Sequence, residues 1–479
     1  MLSSRLPKDL SPSPFFAELE RTKAEVLAKC ANADGHVGNV AEFPFIDMTV
    51  SSPVKAGLPI DLNAAVDEGC ESFGCWNPDA AGWKSVREAV VEYYRERGGN
   101  FTAGQIILTA STSEAYSVLF KTFCDPGDVI LTPMPGYPLL DTLAQLEHLE
   151  CAPYFLKLKR EIASGAAHSR NDKSAAKNNV ILSEAHDSSA QLCQPASSLS
   201  QHSPSTSLRA HSAKQSKTET SFRFVLDSDS LLAAPERAKI LLLVSPHNPT
   251  GHCVSREEWN AAVRFCEENN MILVVDEVFG DYGFSPEVRR SWEFLMGGEP
   301  EPANFFDAGG GDYINLPEDG PKCPIFWLNG LSKAVGSPQL KLGWMAFYAP
   351  REKFEEIRAA LEFVEDAYLS VSAPAQSLGI PLLKQSAAYE ACVKERLLQN
   401  WQTLREAFPS KYCPEVLGGW YAGVRLGEDD EEITLRLLRE KHVLVQPGFF
   451  FDFDEDGWVV ISLLQEPSLF KQAIERMKQ

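Results

Sequence analysis

A lysine stands at the end of Gly-Leu-Ser-Lys, residues 330–333, after the apolar run Phe326–Leu328 and ahead of a loop that closes at Gly343 and Trp344. An amine that leaves a buried strand for a polar, partly desolvated pocket has a depressed pKa, so its neutral form can attack an aldehyde and form a Schiff base. Lys341, eight residues on, is a second cation, and a pair of surface loop lysines would carry the same letters. Two other polar residues hold comparable places. Asn248 follows the run KILLLVS in PHNPTG, and Asp276 ends the run MILVVD. Singly, one reads equally as a turn residue and the other as a charge at a strand end. Jointly, an amide, a carboxylate and a lysine beyond three strand ends point to a ligand site at the carboxyl edge of a parallel sheet.

A second group has the character of an anion cradle. The strand-like QIILT, residues 105–109, is followed by Ala-Ser-Thr-Ser-Glu-Ala and a helical pattern. Ser111, Thr112 or Ser113 caps that helix. The same small residues would let backbone amides approach a phosphate at the positive end of the helix. In PMPGYP, Tyr137 follows another apolar strand, where a ring can stack on a flat cofactor.

The elements that must position these groups alternate. KILLLVS, the helix SREEWNAAVRFCEEN and MILVVDEVF repeat a strand–helix–strand order, which predicts an α/β fold with a parallel sheet. Helical spacing is also present at 15–30 and 85–97, a short strand-like piece at 43–50, and turn-rich loops at Ser51–Pro59 and 76–82. The loop at 51–59 arches over a site or simply connects. From Leu158 to Ser221 the character changes: there are fifteen serines, four of the nine histidines and no aromatic residue. Such a stretch lacks the apolar surface to order itself, so it reads as a disordered insertion on a folded scaffold. Its histidines are too irregularly spaced to propose a metal.

With 479 residues and 44% apolar content the chain can bury a large core in two or three units, and a net charge of −21 spread along it argues against a nucleic-acid or anionic-membrane partner. Eleven cysteines without a CxxC pair read as free thiols in a reducing compartment. No amino-terminal apolar segment and no run of the ~18 apolar residues needed to span a bilayer is present, so the expected location is cytoplasmic.

The order of TASTSEA, PGYP, HNPTG, VVDEVF, GLSK and KLGW resembles the fold type I pyridoxal-phosphate enzymes, specifically the class I/II aminotransferases, over nearly the whole chain except the insertion. The resemblance implies pyridoxal 5'-phosphate joined to Lys333, a ring-nitrogen partner in Asp276, a hydrogen bond from Asn248 to the ring oxygen, and stacking by Tyr137. It also implies phosphate contacts from Ser111, Thr112 and Lys341, with Ser332 supplying a hydroxyl beside the lysine. It implies three segments: residues 1–61 in a small domain, 62–345 as the large cofactor domain, and 346–479 completing the small domain. A homodimer with sites near the subunit interface is implied as well. The reaction would be ping-pong amino transfer from an amino donor to a 2-oxo acid. A lyase similar to aminocyclopropane-carboxylate synthase and a catalytically idle binding protein of the same fold are the alternatives.

Four positions depart from the family pattern. Phe279 stands where a tyrosine is common, Lys341 where arginine is usual, and Gly330 where serine is frequent. Val460, in WVVISLL, stands where the arginine that grips the substrate carboxylate is expected. Lys55 and Arg425 are the nearest cations by sequence to replace it, and each reads equally as a solvated surface charge. Most rings of GGWYAGVRL and of Phe449–Phe451 read as core, with Gly419, Trp420 and the phenylalanines also able to face a substrate.

Overall fold

Short continuous apolar runs, in place of alternating ones, belong to strands covered on both faces. In the computed structural model the described residues are 3, 5–6, 13–33, 45–58, 60–70, 73–74, 77–162, 220–285, 287–295, 320–369, 371–427 and 429–479. Their strands are β1 (Ile46–Asp47), β2 (Ile106–Thr109), β3 (Val129–Met134), β4 (Glu150–Ile162), β5 (Thr220–Leu226), β6 (Ala238–Val244), β7 (Ile272–Asp276), β8 (Ile325–Gly330), β9 (Gly343–Tyr348), β10 (Tyr421–Arg425), β11 (Val443–Leu444), β12 (Gln446–Pro447) and β13 (Trp458–Ser462). Eight of them form one sheet in the order β2-β9-β8-β7-β6-β3-β4-β5. The pairs from β8 through β7, β6 and β3 to β4 are all parallel, while β9 runs antiparallel to both β8 and β2. Six strands therefore point the same way, and their carboxyl ends share one edge. Because β9 is reversed, the residues that precede it arrive at that edge too.

Alternation along the strands feeds two cores. Leu273, Val275, Ile325 and Trp327 belong to one apolar cluster, whereas Ile272, Val274, Phe326 and Leu328 belong to another on the opposite face. A single slip in register would exchange the two sets, so packing on both sides fixes the strand ends, and with them the groups that follow. The fold is α/β with a mainly parallel central sheet.

The carboxyl-terminal part builds a second, three-stranded sheet, β10-β13-β12. Amino-terminal residues pack with this part: Ile46 and Asp47 pair with Val443 and Leu444 in a separate two-stranded sheet, and Ser462 of β13 donates its backbone N–H to Met48 O at 2.7 Å. The helix Pro14–Ala33 carries Phe15 and Phe16, whose rings pack on Phe449 and Phe450; the Phe16–Phe450 pair is stacked at 4.7 Å. Those phenylalanines are thus occupied by a helix of the same chain. Phe451 is different, because it lines the cavity at the strand edge.

Two expectations need correction. The serine-rich stretch begins later and ends earlier than its composition indicates. Leu158–Ile162 and Thr220–Ser221 are rungs of the antiparallel β4–β5 ladder, ending in the pair Ile162 and Thr220. The charged residues Lys157, Lys159 and Arg160, all exposed, conceal the end of strand β4, and residues 163–219 lie outside the described set. Among the described residues eight cysteines form no disulfide, as expected, but Cys392 is disulfide-bonded. Spacing along a chain does not disclose which distant thiols meet. Among the described residues no helix is long and apolar enough to cross a membrane.

Candidate active site

A cavity of about 390 Å³ opens at the shared strand edge, a volume in the usual range for a small-molecule site. Every proposed site residue lines it: Ser111 and Thr112 after β2, Tyr137 after β3, Asn248 after β6, Asp276 closing β7, Ser332 and Lys333 after β8, and Lys341 just before β9. The reversal of β9 is what brings Lys341 to the cradle. Gly343 pairs with Thr109 on one side and Gly330 on the other. A Cβ at Gly330 would lie 2.9 Å from the Gly343 Cα, so serine does not fit there without a backbone shift. The departure at Gly330 is therefore steric.

The cradle combines a helix terminus with a cation. Ser111 is the N-cap of helix Thr112–Phe123, its hydroxyl accepting from the Glu114 backbone N–H at 3.2 Å. That hydroxyl keeps its proton free to donate, and the first-turn amides add the positive end of the helix dipole. Lys341 adopts a left-handed backbone, φ 54°, at the end of the 3-10 turn Pro338–Leu340. A side chain in that region is uncommon and mildly strained, a feature found more often at functional turns.

At the other side of the cavity the Asp276 carboxylate and the Lys333 amine act on each other's charge. Asp276 accepts a hydrogen bond from the Tyr116 hydroxyl at 2.6 Å and another from the Val278 backbone N–H at 3.1 Å. Burial pushes its carboxyl above the ordinary aspartate value, while the Tyr116 hydroxyl, the Val278 N–H and the Lys333 charge pull it back. Lys333 lies over the Trp420 ring at 4.9 Å and the Phe279 ring at 5.6 Å. Its backbone carbonyl is held by the Tyr282 hydroxyl at 2.7 Å. Burial lowers its pKa from 10.5 to about 8, against the opposing pull of Asp276.

That shift has a measurable sign. Below about 8 the cofactor-free fold holds a desolvated ammonium, which destabilises it, and the penalty disappears as pH rises from about 8 toward 10.5. Acetylation of Lys333 by a limiting amine reagent, followed by peptide mass spectrometry, should therefore rise around pH 8, well before the exposed lysines. Asp276→Asn should move that rise to lower pH, because the carboxylate favours the protonated amine. A Lys333 profile that tracks the surface lysines would show that the amine is not desolvated.

The site also contains residues the sequence left unmarked. Tyr116 falls four residues after Thr112, the spacing that puts two side chains on one helix face, and this signal was available. Tyr282 acts from the turn after β7. Tyr421, Gln446 and Ser51 line the cavity from the three-stranded sheet and the amino-terminal loop. Neither cation suggested as a replacement at the Val460 position reaches it. Lys55 is exposed and absent from the lining, and Arg425 is ion-paired with Glu455. Strand position put Arg425 close in sequence, but its own ion pair keeps it outward. Trp420 packs beneath the Lys333 amine without lining the cavity itself.

The donor set fits pyridoxal phosphate. The cradle suits a phosphate, Lys333 an aldehyde, and Asp276 a basic ring nitrogen. Asn248 contributes a side-chain oxygen that is buried without a hydrogen-bond partner, a group that a polar ring substituent or its bound water would satisfy.

The sequence model of the family described as "Aminotransferase class I and II" matches residues 77–477. The glutamate-pyruvate aminotransferase AlaA of Haemophilus influenzae is 20% identical over 459 residues, covering 92% of this chain and 88% of that protein. An alanine aminotransferase of Mycobacterium tuberculosis is 24% identical over 414 residues, covering 83% and 76%. Among solved structures, a double mutant of Thermus thermophilus aspartate aminotransferase superposes with a TM-score of 0.68 at 19% identity, covering 100% of this chain and 99% of that one. A match running from residue 77, ahead of the helix Lys84–Arg95, to the last helix of the chain, on a fold that brings the motif residues to one strand edge, leaves one assignment: the chain belongs to the class I and II aminotransferases, which are pyridoxal-phosphate-dependent enzymes.

Proposed function

We propose that Lys333 carries the cofactor and shuttles the substrate's proton, and that the enzyme exchanges an amino group between an amino donor and a 2-oxo acid by a ping-pong course. The observation that carries this reading is the meeting of the Lys333 amine, the Asp276 carboxylate and the Ser111–Lys341 cradle in one cavity. Pyridoxal phosphate, when bound, supplies a ring that draws off the electron pair left when the donor's amine-bearing carbon loses its proton. Lys333 Nζ takes that proton and returns it, a role suited to an amine with a pKa near 8. Asp276, held by Tyr116, keeps a proton on the ring nitrogen. Asn248 would bond the ring oxygen, Tyr137 would cover a ring face, Ser111, Thr112 and Lys341 would hold the phosphate, and Ser332 would supply a hydroxyl beside the lysine. Phe279 offers a ring beside Lys333 but no hydroxyl.

The large cofactor domain is taken as 62–345, with 1–61 and 346–479 forming the small one, and the working form as a homodimer in the cytoplasm. The shared β1–β11 pairing supports the first point and the free thiols support the location, with Cys392 as an exception. Loaded protein mixed with amino acids and their amides, without an acceptor, should release about one equivalent of the oxo product per subunit and retain the amino group. Added 2-oxo acid should then restore turnover. Continuous product release without acceptor would indicate elimination instead, and no product from any donor would overturn the proposal.

A further inference from the structure

Trp420 lies outside the cavity yet packs against its amine. The backbone ahead of it explains how it gets there. Gly419 donates its N–H to Tyr282 O at 2.9 Å, and Gly418 forms a bridge with Gly283, both partners lying in the turn that follows β7. A Cβ at Gly418 would lie 2.7 Å from Tyr282 O, so only a bare backbone comes this close. That approach docks the start of β10 on the segment carrying Phe279 and Tyr282. The Trp420 ring packs on both, its centre 5.3 Å from that of Phe279 and 5.2 Å from that of Tyr282, and it is fully buried. Its backbone carbonyl accepts from the Leu463 N–H at 2.7 Å, which pins the residue to the end of β13.

Lys333 stands over this cluster. Its Nζ is 4.9 Å from the centre of the Trp420 ring and 5.6 Å from that of Phe279, inside the ~6 Å reach of a cation–π contact, for which indole is the best ring. In a buried setting the attraction exceeds that at a surface, because water does not screen it. A neutral amine has no charge for the ring face to attract, so the contact separates the two protonation states. It favours NH3+ over NH2, against the effect of burial. Of the charged groups on the same cavity, Asp276 acts in the same direction and Lys341 is of like charge. The phenols of Tyr116, Tyr137, Tyr282 and Tyr421 stay neutral, since burial raises the pKa of each.

We infer that Trp420 is a positioning residue for the proton-carrying amine: its indole face holds the Lys333 ammonium formed when Nζ takes the substrate's proton, and makes that amine a stronger base than burial alone would leave. The inference rests on the role given to Lys333 above and deepens it. The proton taken from the donor's carbon becomes the third hydrogen of NH3+, and when it is returned Nζ regains its lone pair. Trp420 acts through Lys333, being fully buried and outside the cavity lining.

The test changes the charge of the ring face at nearly constant shape. Mono-, di- and trifluorotryptophan are placed at position 420 alone in the full-length chain by stop-codon suppression, each fluorine weakening the negative face. In cofactor-free protein, acetylation of Lys333 is followed against pH by peptide mass spectrometry. In loaded enzyme, kcat and KM for an amino donor are followed over the same range. Each fluorine should move the Lys333 midpoint to lower pH, and Trp420→Leu should move it by about one unit, a tenfold fall in proton affinity. The acidic limb of kcat should move with it while KM changes little, and the alkaline plateau of kcat should fall because a weaker base takes the proton. The same series at Trp259, which stacks on Trp327, should leave both profiles in place. A midpoint that stays fixed across the fluorinated series or moves to higher pH, or a moved midpoint with an unmoved kcat limb, would overturn the inference, and the fluorinated proteins decide this even where Trp420→Leu fails to fold. A midpoint that moves as expected in a protein that transfers no amino group would support the Trp420 contact and sink the assigned reaction.

Discussion

Lys333→Ala should abolish amino transfer, by at least about four orders of magnitude, since a positioned acid-base group alone contributes up to roughly 10⁴-fold and this lysine is also the covalent attachment point. The fold should survive. Removing the side chain deletes a desolvated ammonium from between the Trp420 and Phe279 rings, and the Tyr282 hydroxyl still has the residue 333 carbonyl to bond. A melting temperature equal to or slightly above that of the cofactor-free wild type is the expected companion result. Borohydride treatment of loaded wild type should fix the cofactor on the peptide containing Lys333, and nothing should be fixed in the variant. A labelled peptide containing Lys341 instead would transfer the assignment to the wrong side of the cradle and sink it.

Asp276→Ala should keep part of its cofactor, because the phosphate cradle is untouched, yet lose turnover by several orders of magnitude. Without the carboxylate the ring nitrogen has no partner to keep it protonated, and a neutral ring is a weak electron acceptor. The variant should also lose stability of about 1–3 kcal/mol, as the buried Tyr116 hydroxyl is left without its acceptor. Glu277 is the natural control. It points to the opposite side of the strand, accepting from the Ser291 N–H and hydroxyl at 2.9 and 2.5 Å, so Glu277→Gln should leave turnover near normal. Equal cofactor content with near-normal turnover in Asp276→Ala would identify the wrong carboxylate.

The cofactor side of the site was legible because its residues follow directly from buried strands. An apolar run locates a strand, its carboxyl end locates the edge, and the next polar residue is placed within a few ångströms of its neighbours. Asn248, Asp276 and Lys333 are all of this kind, and the fold is α/β with a mainly parallel sheet as the alternation indicates. What the sequence hides is anything fixed by pairing between distant segments. Gln446 reaches the cavity through the pairing of β12 with β13, whereas the spacing of Tyr116 from Thr112 shows its helix face but not the distant Asp276 carboxylate that its hydroxyl bonds. Lys55 and Arg425 were chosen by nearness along the chain, and exposure and an ion pair rule them out. The polar end of β4 escaped for a related reason: its charged residues look like part of a loop until the ladder with β5 is seen.

The position of β9 has a consequence for how the protein is made. It is the strand that joins β2 to the rest of the large sheet, yet β2 ends at Thr109 and β9 starts at Gly343. During synthesis, β2 must remain without its ladder partner until β9 has left the ribosome, and the cradle cannot close before Gly343 inserts between Thr109 and Gly330. Contacts this far apart in sequence are slow to form, and an unpaired apolar strand is an invitation to pair wrongly. The same reversal that delivers Lys341 to the cavity edge therefore makes completion of the cavity one of the last events in folding, and leaves the nascent chain most in need of protection just before the cavity closes.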